Sequence, residues 1–174
     1  MDNLDYQRSA FSLALSVIVV AADSGQELRE CVRLILGCRL PLELILVDNA
    51  SRDGVPPAIE RAHQHDTRLQ VIYSHRNLGF GRAVNLGAKQ AHGHALLILN
   101  PDCLPSESDL QRLLALQASR PKAGLIGAVV CDADGRPDPA SWRRDPLLRR
   151  SLNTMLGRPG EKVQMEQEIP EEGV

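Results

Sequence analysis

The sequence predicts an α/β fold with a mostly parallel, doubly wound sheet that has helices on both faces. Two observations lead to this prediction. Short apolar runs of strand length alternate with segments of helical periodicity over most of the chain. This alternation is typical of parallel strands joined by right-handed helical crossovers. At 174 residues and 43% hydrophobic content, the chain is long enough to bury one ordinary core.

Five apolar runs are predicted to be strands, because each is short and bounded by turn formers or helix signals. They lie within 11–20, 42–47, 69–73, 95–99 and 125–130. The run at 95–99 is uninterrupted and is therefore expected to be buried on both faces. Pro101 cannot continue a central strand, so Asp102 is expected in the loop at the carboxyl end. Open α/β sheets bind ligands at that edge.

Four segments between the runs are predicted to be helices. Ser24 with Glu27, and Ser106 with Asp109, have the spacing of capping boxes and indicate where two of the helices begin. A proline pair can open a third, since the first helical turn needs no N–H donors. The expected helices cover about 25–38, 56–65, 82–91 and 107–120.

The chain is expected to have three parts. Residues 1–10 are polar and form a flexible N-terminus, 11–142 form the folded domain, and 143–174 form a tail or the start of a further segment. Near the end of the domain, Asp134-Gly135 is typical of a hairpin turn. The tail is first basic and then acidic, without clear periodicity. Its arginines indicate either a solvated face or an anionic partner such as a lipid headgroup or pyrophosphate.

Composition and charge argue against several function classes. The formal net charge is −2 and aromatic residues make up 3%, so binding to nucleic acid is not expected. No apolar run approaches the roughly 20 residues of a transmembrane helix, so any membrane contact would be peripheral. The four cysteines lack C-x-x-C spacing and the chain begins without a secretory h-region. Reduced thiols in a cytoplasmic protein are therefore expected.

Two other motifs are interpreted as structural. The pairs His63–His65 and His92–His94 are interpreted as solvated histidines rather than zinc ligands, because side chains two apart on a helix point to different faces. The glycines of Gly79-Phe80-Gly81 resemble part of a dinucleotide fingerprint. Its third glycine position falls on Val84, so an NAD site is not expected.

Four further motifs lie on or just after predicted strands. They read Ser16-Val17-Ile18-Val19-Val20, Ile45-Leu46-Val47-Asp48-Asn49-Ala50-Ser51, Asn77-Leu78-Gly79-Phe80-Gly81 with Asn85 and Gly87, and Leu99-Asn100-Pro101-Asp102. In this order they resemble family 2 glycosyltransferases of the GT-A fold, which is a Rossmann-like three-layer arrangement. The match covers residues 16–142 and is most similar to the bacterial, rhamnosyltransferase-like branch.

The resemblance implies a site for a nucleotide-sugar donor and a divalent metal. The implied donor-binding residues are Asp48, Asn49, Asn77, Gly79, Arg82, Asn85 and Asn100. Asp48 would contact the base or ribose, which suits a carboxylate facing N–H and O–H donors. Asp102 matches the last acid of the family's metal motif and would bind Mg²⁺ or Mn²⁺ between the donor phosphates. The metal would offset charge on the leaving nucleoside diphosphate.

Three departures from the family pattern affect these expectations. Asn100 stands where many members have an aspartate, so little metal affinity is expected without donor. Ala22 stands where an aromatic residue is common, which removes a stacking surface for the base. Nothing after Trp142 resembles the acidic cluster that supplies the catalytic base, so no catalytic residue is identified in this chain.

Two functions therefore remain open. One is the donor-binding half of an inverting, metal-dependent enzyme that transfers a sugar to a cell-surface polysaccharide or lipid-linked acceptor. The other is a GT-A-like remnant that binds a nucleotide or a protein and catalyses no reaction. The missing base favours the remnant, whereas the Asp48 and Asp102 loops favour a fragment of a longer enzyme. Without an acceptor half, an exposed sheet edge and an exposed apolar face around 125–130 would also favour homo-oligomers.

Overall fold

The computed structural model describes residues 13–132 and 134–138, which fall into two compact units divided after Ile126. Strands and helices alternate along the first unit. The strands are β1 (Leu15–Ala21), β2 (Leu42–Asp48), β3 (Leu69–Tyr73) and β4 (Ala95–Leu99). The helices are α1 (Gly25–Gly37), α2 (Val55–Ala62), α3 (Phe80–Ala88) and α4 (Glu107–Ser119). The predicted N-terminal and C-terminal segments, 1–10 and 143–174, lie outside the described residues.

The sheet is parallel throughout, with the strand order β3-β2-β1-β4. Asp48 pairs in register with Ala21 on one side and Tyr73 on the other, so β1, β2 and β3 end at one level. Leu99, the last residue of β4, pairs with Val19. The predicted α/β fold with a parallel sheet is therefore confirmed, and all four strand ends meet at one edge.

Helices cover both faces of the sheet. On one face, α1, α2 and α4 pack on alternate residues of β1 and β2 in the larger core cluster. On the other face, α3 contributes Ala83 and Val84 to a smaller cluster with Ile18 and Ile45. Helix α3 lies close against the sheet, because a Cβ added at Gly87 would be 2.9 Å from Cγ2 of Ile18. The three-layer arrangement follows from these two clusters.

The prediction that β4 is buried on both faces is wrong. Leu96 and Ile98 are 52% and 49% exposed, whereas Leu97 and Leu99 pack against the larger core cluster. The reason is position, since β4 is the edge strand and α3 packs over β1 and β2 instead. An exposed sheet edge is one of the two features from which homo-oligomers are predicted, and the oligomeric state stays a prediction.

The prediction of a fifth strand at 125–130 is also wrong. These residues have no strand assignment, and Leu125 is 88% exposed. A strand needs a ladder with a neighbour, and no ladder to this segment occurs within the described residues. In the second unit, the hairpin turn at Asp134-Gly135 is confirmed, because an antiparallel bridge joins Cys131 to Pro137 across it. Gly135 N–H also donates to the carbonyl of Asp132 at 3.0 Å.

One predicted capping box is confirmed and the other is wrong. Ser106 Oγ accepts from the N–H of Asp109 at 3.2 Å, and the Asp109 carboxylate accepts from the N–H of Ser106 at 2.9 Å. Ser24 instead accepts from the N–H of Ala22, and no side chain of this pair caps α1. The first amide of α1, at Gly25, donates to Asp53 Oδ2 from another loop. A hydrogen bond to the distant Asp53 therefore caps α1 in place of the predicted pair Ser24 and Glu27.

Arg68 holds the carboxyl end of α1. Its guanidinium donates to the carbonyls of Leu36 and Cys38 at 2.5 and 3.0 Å and forms an ion pair with Asp66 at 2.7 Å. The Asp66 carboxylate in turn raises the pKa of Arg68. A cation at the carboxyl end of a helix satisfies unpaired carbonyls and complements the helix dipole.

We expect Arg68→Ala to lower the free energy of unfolding by about 2 kcal/mol, because it removes charged hydrogen bonds to two helix carbonyls. Urea unfolding followed by circular dichroism measures this change. Arg33→Ala is the control, since Arg33 forms an exposed ion pair with Glu30 and contacts no helix end. Equal unfolding midpoints for the two variants would contradict the role of Arg68.

Candidate functional site

Loops after β1, β2 and β3 line a cleft at the carboxyl edge of the sheet. The cleft has a volume of about 660 Å³. It is lined by Asp23, Asp48, Ala50, Ser51, Arg52, Ser74, His75, Arg76 and Asn77. Another cavity, of about 470 Å³, is bordered by residues in the α2–β3 connection. It includes none of the residues predicted to bind the donor or the metal, so the cleft is the candidate site.

Asp48 lies at the base of this cleft. It ends β2 and is 7% exposed. Its Oδ1 accepts the N–H of Ser51 at 2.9 Å, and its main-chain carbonyl accepts the N–H of Ser74 at 2.8 Å. Ala50, inside this turn, has a φ of +66°. The turn holds the carboxylate at the strand end, and Oδ2 has no hydrogen bond among the described residues.

Asn49 and Asn77 join the loops after β2 and β3. Asn49 Nδ2 donates to Asn77 Oδ1 at 3.0 Å, and Asn49 Oδ1 accepts the N–H of Leu78 at 2.8 Å. Asn77 Oδ1 also accepts the N–H of Gly79 at 2.8 Å. Gly79, with φ +79° and ψ 156°, has a backbone conformation that suits glycine alone. These contacts fix the loop that precedes α3.

Asp23 and Asp53 exchange hydrogen bonds between the loops after β1 and β2. Asp23 Oδ1 accepts the N–H groups of Arg52 and Asp53 at 2.5 and 3.1 Å. Asp53 Oδ2 accepts the N–H of Gly25 at 3.0 Å. The sequence did not indicate this pairing, because it joins residues about 30 positions apart without a local pattern. Together the two carboxylates tie the loop after β1 to the loop after β2.

The loop that carries Asn100 and Asp102 begins at the same edge, beyond β1. A backbone hydrogen bond from Cys103 N–H to the Asn100 carbonyl, 3.0 Å, forms a turn over Pro101 and Asp102. Both polar side chains are exposed. They do not line the cleft, because β1 lies between β4 and β2 in the sheet.

The chain matches the model of glycosyl transferase family 2 over residues 16–165. It belongs to this family. An N-acetylglucosaminyl-diphospho-decaprenol L-rhamnosyltransferase from Mycobacterium tuberculosis is 29% identical over 155 residues, which cover 82% of this chain and 50% of the relative. The chain thus spans about half the length of that relative.

Solved structures give the same fold. S. aureus TarS 1–349 has a TM-score of 0.62 at 24% identity, over 72% of this chain and 38% of the 1–349 chain. The Pyrobaculum calidifontis mannosyltransferase PcManGT, solved with GDP-Man and Mn²⁺, has a TM-score of 0.58 at 25% identity, over 74% of this chain and 42% of that protein. The GT-A fold that the motifs predicted is therefore confirmed.

The structure places some of the predicted site residues around the cleft and the others apart from it. Asp48, Asn49, Asn77 and Gly79 are brought together around the cleft by the contacts described above. Asn100 and Asp102 lie at the same edge on the other side of β1. Arg82 and Asn85 are exposed on α3 and do not line the cleft. Their predicted contacts with the donor stay predictions.

The oxygen ligands that the Asp102 loop offers are few, and they fit a metal ion that also binds phosphate oxygens. Among the described residues, no three carboxylate, histidine or cysteine side chains gather into a metal-binding group. Mg²⁺ commonly keeps several waters and binds one or two carboxylates together with substrate phosphates. Burial and the neighbouring Asp102 carboxylate raise the pKa of the Cys103 thiol. Asp102 and Asn100 therefore suit a cation that arrives with the donor.

Proposed function

We propose that this chain binds the nucleotide-sugar donor of an inverting, metal-dependent glycosyltransferase that acts on a lipid-linked or polysaccharide acceptor. The observation that carries the proposal is the cleft, which places the buried Asp48 carboxylate beside loops fixed from three adjacent strands. The GT-A fold and the family membership support it. PcManGT, which has a similar fold, was solved with GDP-Man and Mn²⁺. This favours a nucleotide-sugar and a divalent cation as the ligands of this chain.

Each end of the donor has its own residues in this proposal. Asp48 accepts hydrogen bonds from the base or ribose in this proposal, because it lines the cleft and its Oδ2 has no hydrogen bond among the described residues. Asn100 and Asp102 hold Mg²⁺ or Mn²⁺ at the diphosphate end. When bound, the cation supplies positive charge against the leaving nucleoside diphosphate. Asn49 and Asn77 keep the two loops in place.

The acceptor side is proposed from the relatives. The Mycobacterium tuberculosis relative is named for transfer of rhamnose to a diphospho-decaprenol-linked sugar, which favours a lipid-linked acceptor. Inversion requires a base that removes the acceptor proton in the transition state, and we assign this role to no described residue. We place the reaction in the cytoplasm at the inner face of the membrane, with peripheral contact. No helix in the described part of the chain has the length and apolarity to cross a bilayer.

Calorimetric titration of UDP, dTDP and GDP with and without Mn²⁺ tests the donor site. Wild-type protein is expected to bind at least one nucleotide more tightly with Mn²⁺. Asp102→Asn is expected to weaken the Mn²⁺-dependent binding at least tenfold, because the only carboxylate of the metal loop is lost. Asp48→Asn should weaken binding with and without Mn²⁺, since its contact is to the nucleoside.

The control is Asp134→Asn, which removes an exposed carboxylate from the hairpin turn and should leave affinity unchanged. Failure of every nucleotide to bind with Mn²⁺, or equal affinity of wild type and Asp102→Asn, would contradict the donor site. Slow release of free sugar from a bound nucleotide-sugar would favour an enzyme.

A further inference from the structure

We infer that two copies of this chain pair along β4 in antiparallel orientation and join their sheets into one continuous sheet. In the described part of the chain, β4 is one of the two edge strands of the sheet. The association has a defined surface, a defined partner and a defined register. It is independent of the proposed donor site, because the cleft lies on the far side of β1.

The β4 edge is apolar and lacks the features that usually protect an edge strand. Its sequence, Ala-Leu-Leu-Ile-Leu, has no charged residue and no proline, and Leu96 and Ile98 are 52% and 49% exposed. The opposite edge, β3, exposes Gln70 and Tyr73 instead, and the Tyr73 hydroxyl donates to Glu60 at 2.8 Å. Charges and prolines on an edge keep other strands from adding to it. The β4 edge is therefore the one open to a further strand.

Leu96 and Ile98 lie on the sheet face that α3 covers only in part. Ile98 pairs in register with Ile18 of β1, and Ile18 is fully buried in the smaller core cluster with residues of α3. The buried members of that cluster come from β1, β2 and α3 and include none from β4. A strand added beside β4 would give both exposed side chains an apolar neighbour on this face.

The outward-facing backbone groups of β4 belong to the same two residues. The N–H of Ala95 donates to the carbonyl of Ala14 at 3.2 Å, so the backbone groups of Ala95 and of every second residue after it point towards β1. Those of Leu96 and Ile98 point away from β1. Within the described residues, no strand lies on that side to pair with them. They are the donors and acceptors that a partner strand would use.

Two-fold symmetry places the centre of the paired strands at Leu97. Leu96 of each copy then lies opposite Ile98 of the other, and each of these pairs exchanges two backbone hydrogen bonds. Residues directly opposite in an antiparallel pair point to the same face, so each exposed leucine contacts an exposed isoleucine. The same surface is used by both copies, as in an isologous dimer.

The neighbouring symmetric registers use the edge less well. If Leu96 were opposite itself, Ile98 would lie opposite His94, whose N–H already donates to the carbonyl of Leu13 at 3.1 Å. If Ile98 were opposite itself, Leu96 would lie opposite Asn100, whose carbonyl already accepts an N–H in the turn after β4. Only the register centred at Leu97 pairs outward-facing residues with each other throughout.

The two ends of β4 are also complementary to each other. His92 and His94 precede the strand, and Asp102 follows it. Antiparallel pairing brings the histidine end of each copy beside the carboxylate end of the other, whereas parallel pairing would bring like ends together. His92 directs Nδ1 towards Glu43 at 3.3 Å, and its second ring nitrogen can still form a hydrogen bond. The charge distribution therefore favours the antiparallel orientation.

Sedimentation velocity of the intact chain at increasing protein concentration tests the pairing. Because the contact is one strand wide, it is smaller than a standard interface, and dimers are expected in the micromolar range. Ile98→Lys should raise the dissociation constant roughly tenfold or more, since a charge on an edge strand blocks pairing. Leu125→Lys is the control. It changes an exposed apolar residue outside the sheet and should leave the dissociation constant unchanged.

Disulfide formation between copies of Leu97→Cys tests the register. At the centre of the paired strands, the two Cα atoms at position 97 are about 4.5 Å apart, a separation that a disulfide can span. Ala95→Cys is the matched control, because it lies on the same face of β4 but its two copies would be about 14 Å apart. Mild oxidation should therefore crosslink Leu97→Cys and leave Ala95→Cys at the level of wild type, which reports the native cysteines.

Three results would overturn the inference. The first is a wild-type chain that stays monomeric at high concentration, as expected if another part of the chain covers β4. The second is loss of dimers in Leu125→Lys but not in Ile98→Lys, which would place the contact at the apolar segment 125–130. The third is equal crosslinking of Ala95→Cys and Leu97→Cys. Circular dichroism checks that each variant is folded, and the cysteine variants decide the matter if Ile98→Lys is not.

Discussion

Gly93→Ala is expected to lower the free energy of unfolding by about 3 kcal/mol, at the upper end of the usual cost of overpacking. A Cβ at Gly93 would lie 2.5 Å from the backbone N of Ser16 and 2.6 Å from the backbone C of Leu15. Both atoms belong to β1, which is paired on both sides in the sheet. The central strand would have to shift, because no flexible side chain can move away instead.

Urea unfolding followed by circular dichroism measures this loss. Gly37→Ala is the matched control, since it lies at the end of α1 and an added Cβ meets no atom within 4 Å. Alanine there should be neutral or stabilise the protein by roughly 0.5–1 kcal/mol, because it reduces the entropy of the unfolded chain. Similar stabilities of the two variants would show that the backbone at Gly93 is less tightly packed than described.

Strand positions could be predicted well, but strand environments could not. The bounds of β3 and β4 are those predicted, because apolar runs between turn formers mark strands directly. The same run is compatible with a central or an edge strand, so the exposure of Leu96 and Ile98 left no signal. Residues 125–130 have strand composition, yet a strand also depends on a partner that the local sequence does not specify.

The candidate site, too, could be predicted from the sequence only in part. Asp48, Asn49 and Asn77 were predicted from motifs, and the structure brings them together through hydrogen bonds. The exchange between Asp23 and Asp53 was missed, because bonds between a side chain and a distant backbone have no periodicity. For the same reason the local cap at Ser24 was wrongly predicted. Asp53, which reads locally as a turn residue, binds the first amide of α1.

A polar cluster at the opposite end of the sheet ties β1 and β2 to the start of β4. Glu43 Oε1 accepts from Ser16 Oγ and from the N–H of His92, both at 2.6 Å. Its Oε2 lies 3.3 Å from Nδ1 of His92. Ser16, which is fully buried, also accepts the N–H of Gly93 at 2.8 Å. Removing Glu43 would therefore leave the buried Ser16 hydroxyl and the more exposed His92 amide without their acceptor.

Glu43→Ala is expected to lower the free energy of unfolding at pH 7 by about 3 kcal/mol, because it leaves the Ser16 hydroxyl and the His92 amide unpaired. Burial alone would raise the pKa of Glu43, but hydrogen bonds from Ser16 and His92 outweigh it and lower the pKa. A lowered pKa in the folded state means that the carboxylate stabilises the protein above its unfolded pKa of about 4.3. That contribution is lost as the pH falls through the folded pKa.

Glu43→Gln isolates the charge, because glutamine keeps the shape and one acceptor oxygen of the side chain. The difference in unfolding free energy between wild type and Glu43→Gln should be constant above about pH 5 and should shrink at lower pH. Urea unfolding at several pH values between 3 and 7 measures this difference, and the other carboxylates cancel because both proteins contain them. A difference that grows on acidification would mean that the folded state raises the pKa of Glu43, opposite to the direction its hydrogen bonds require.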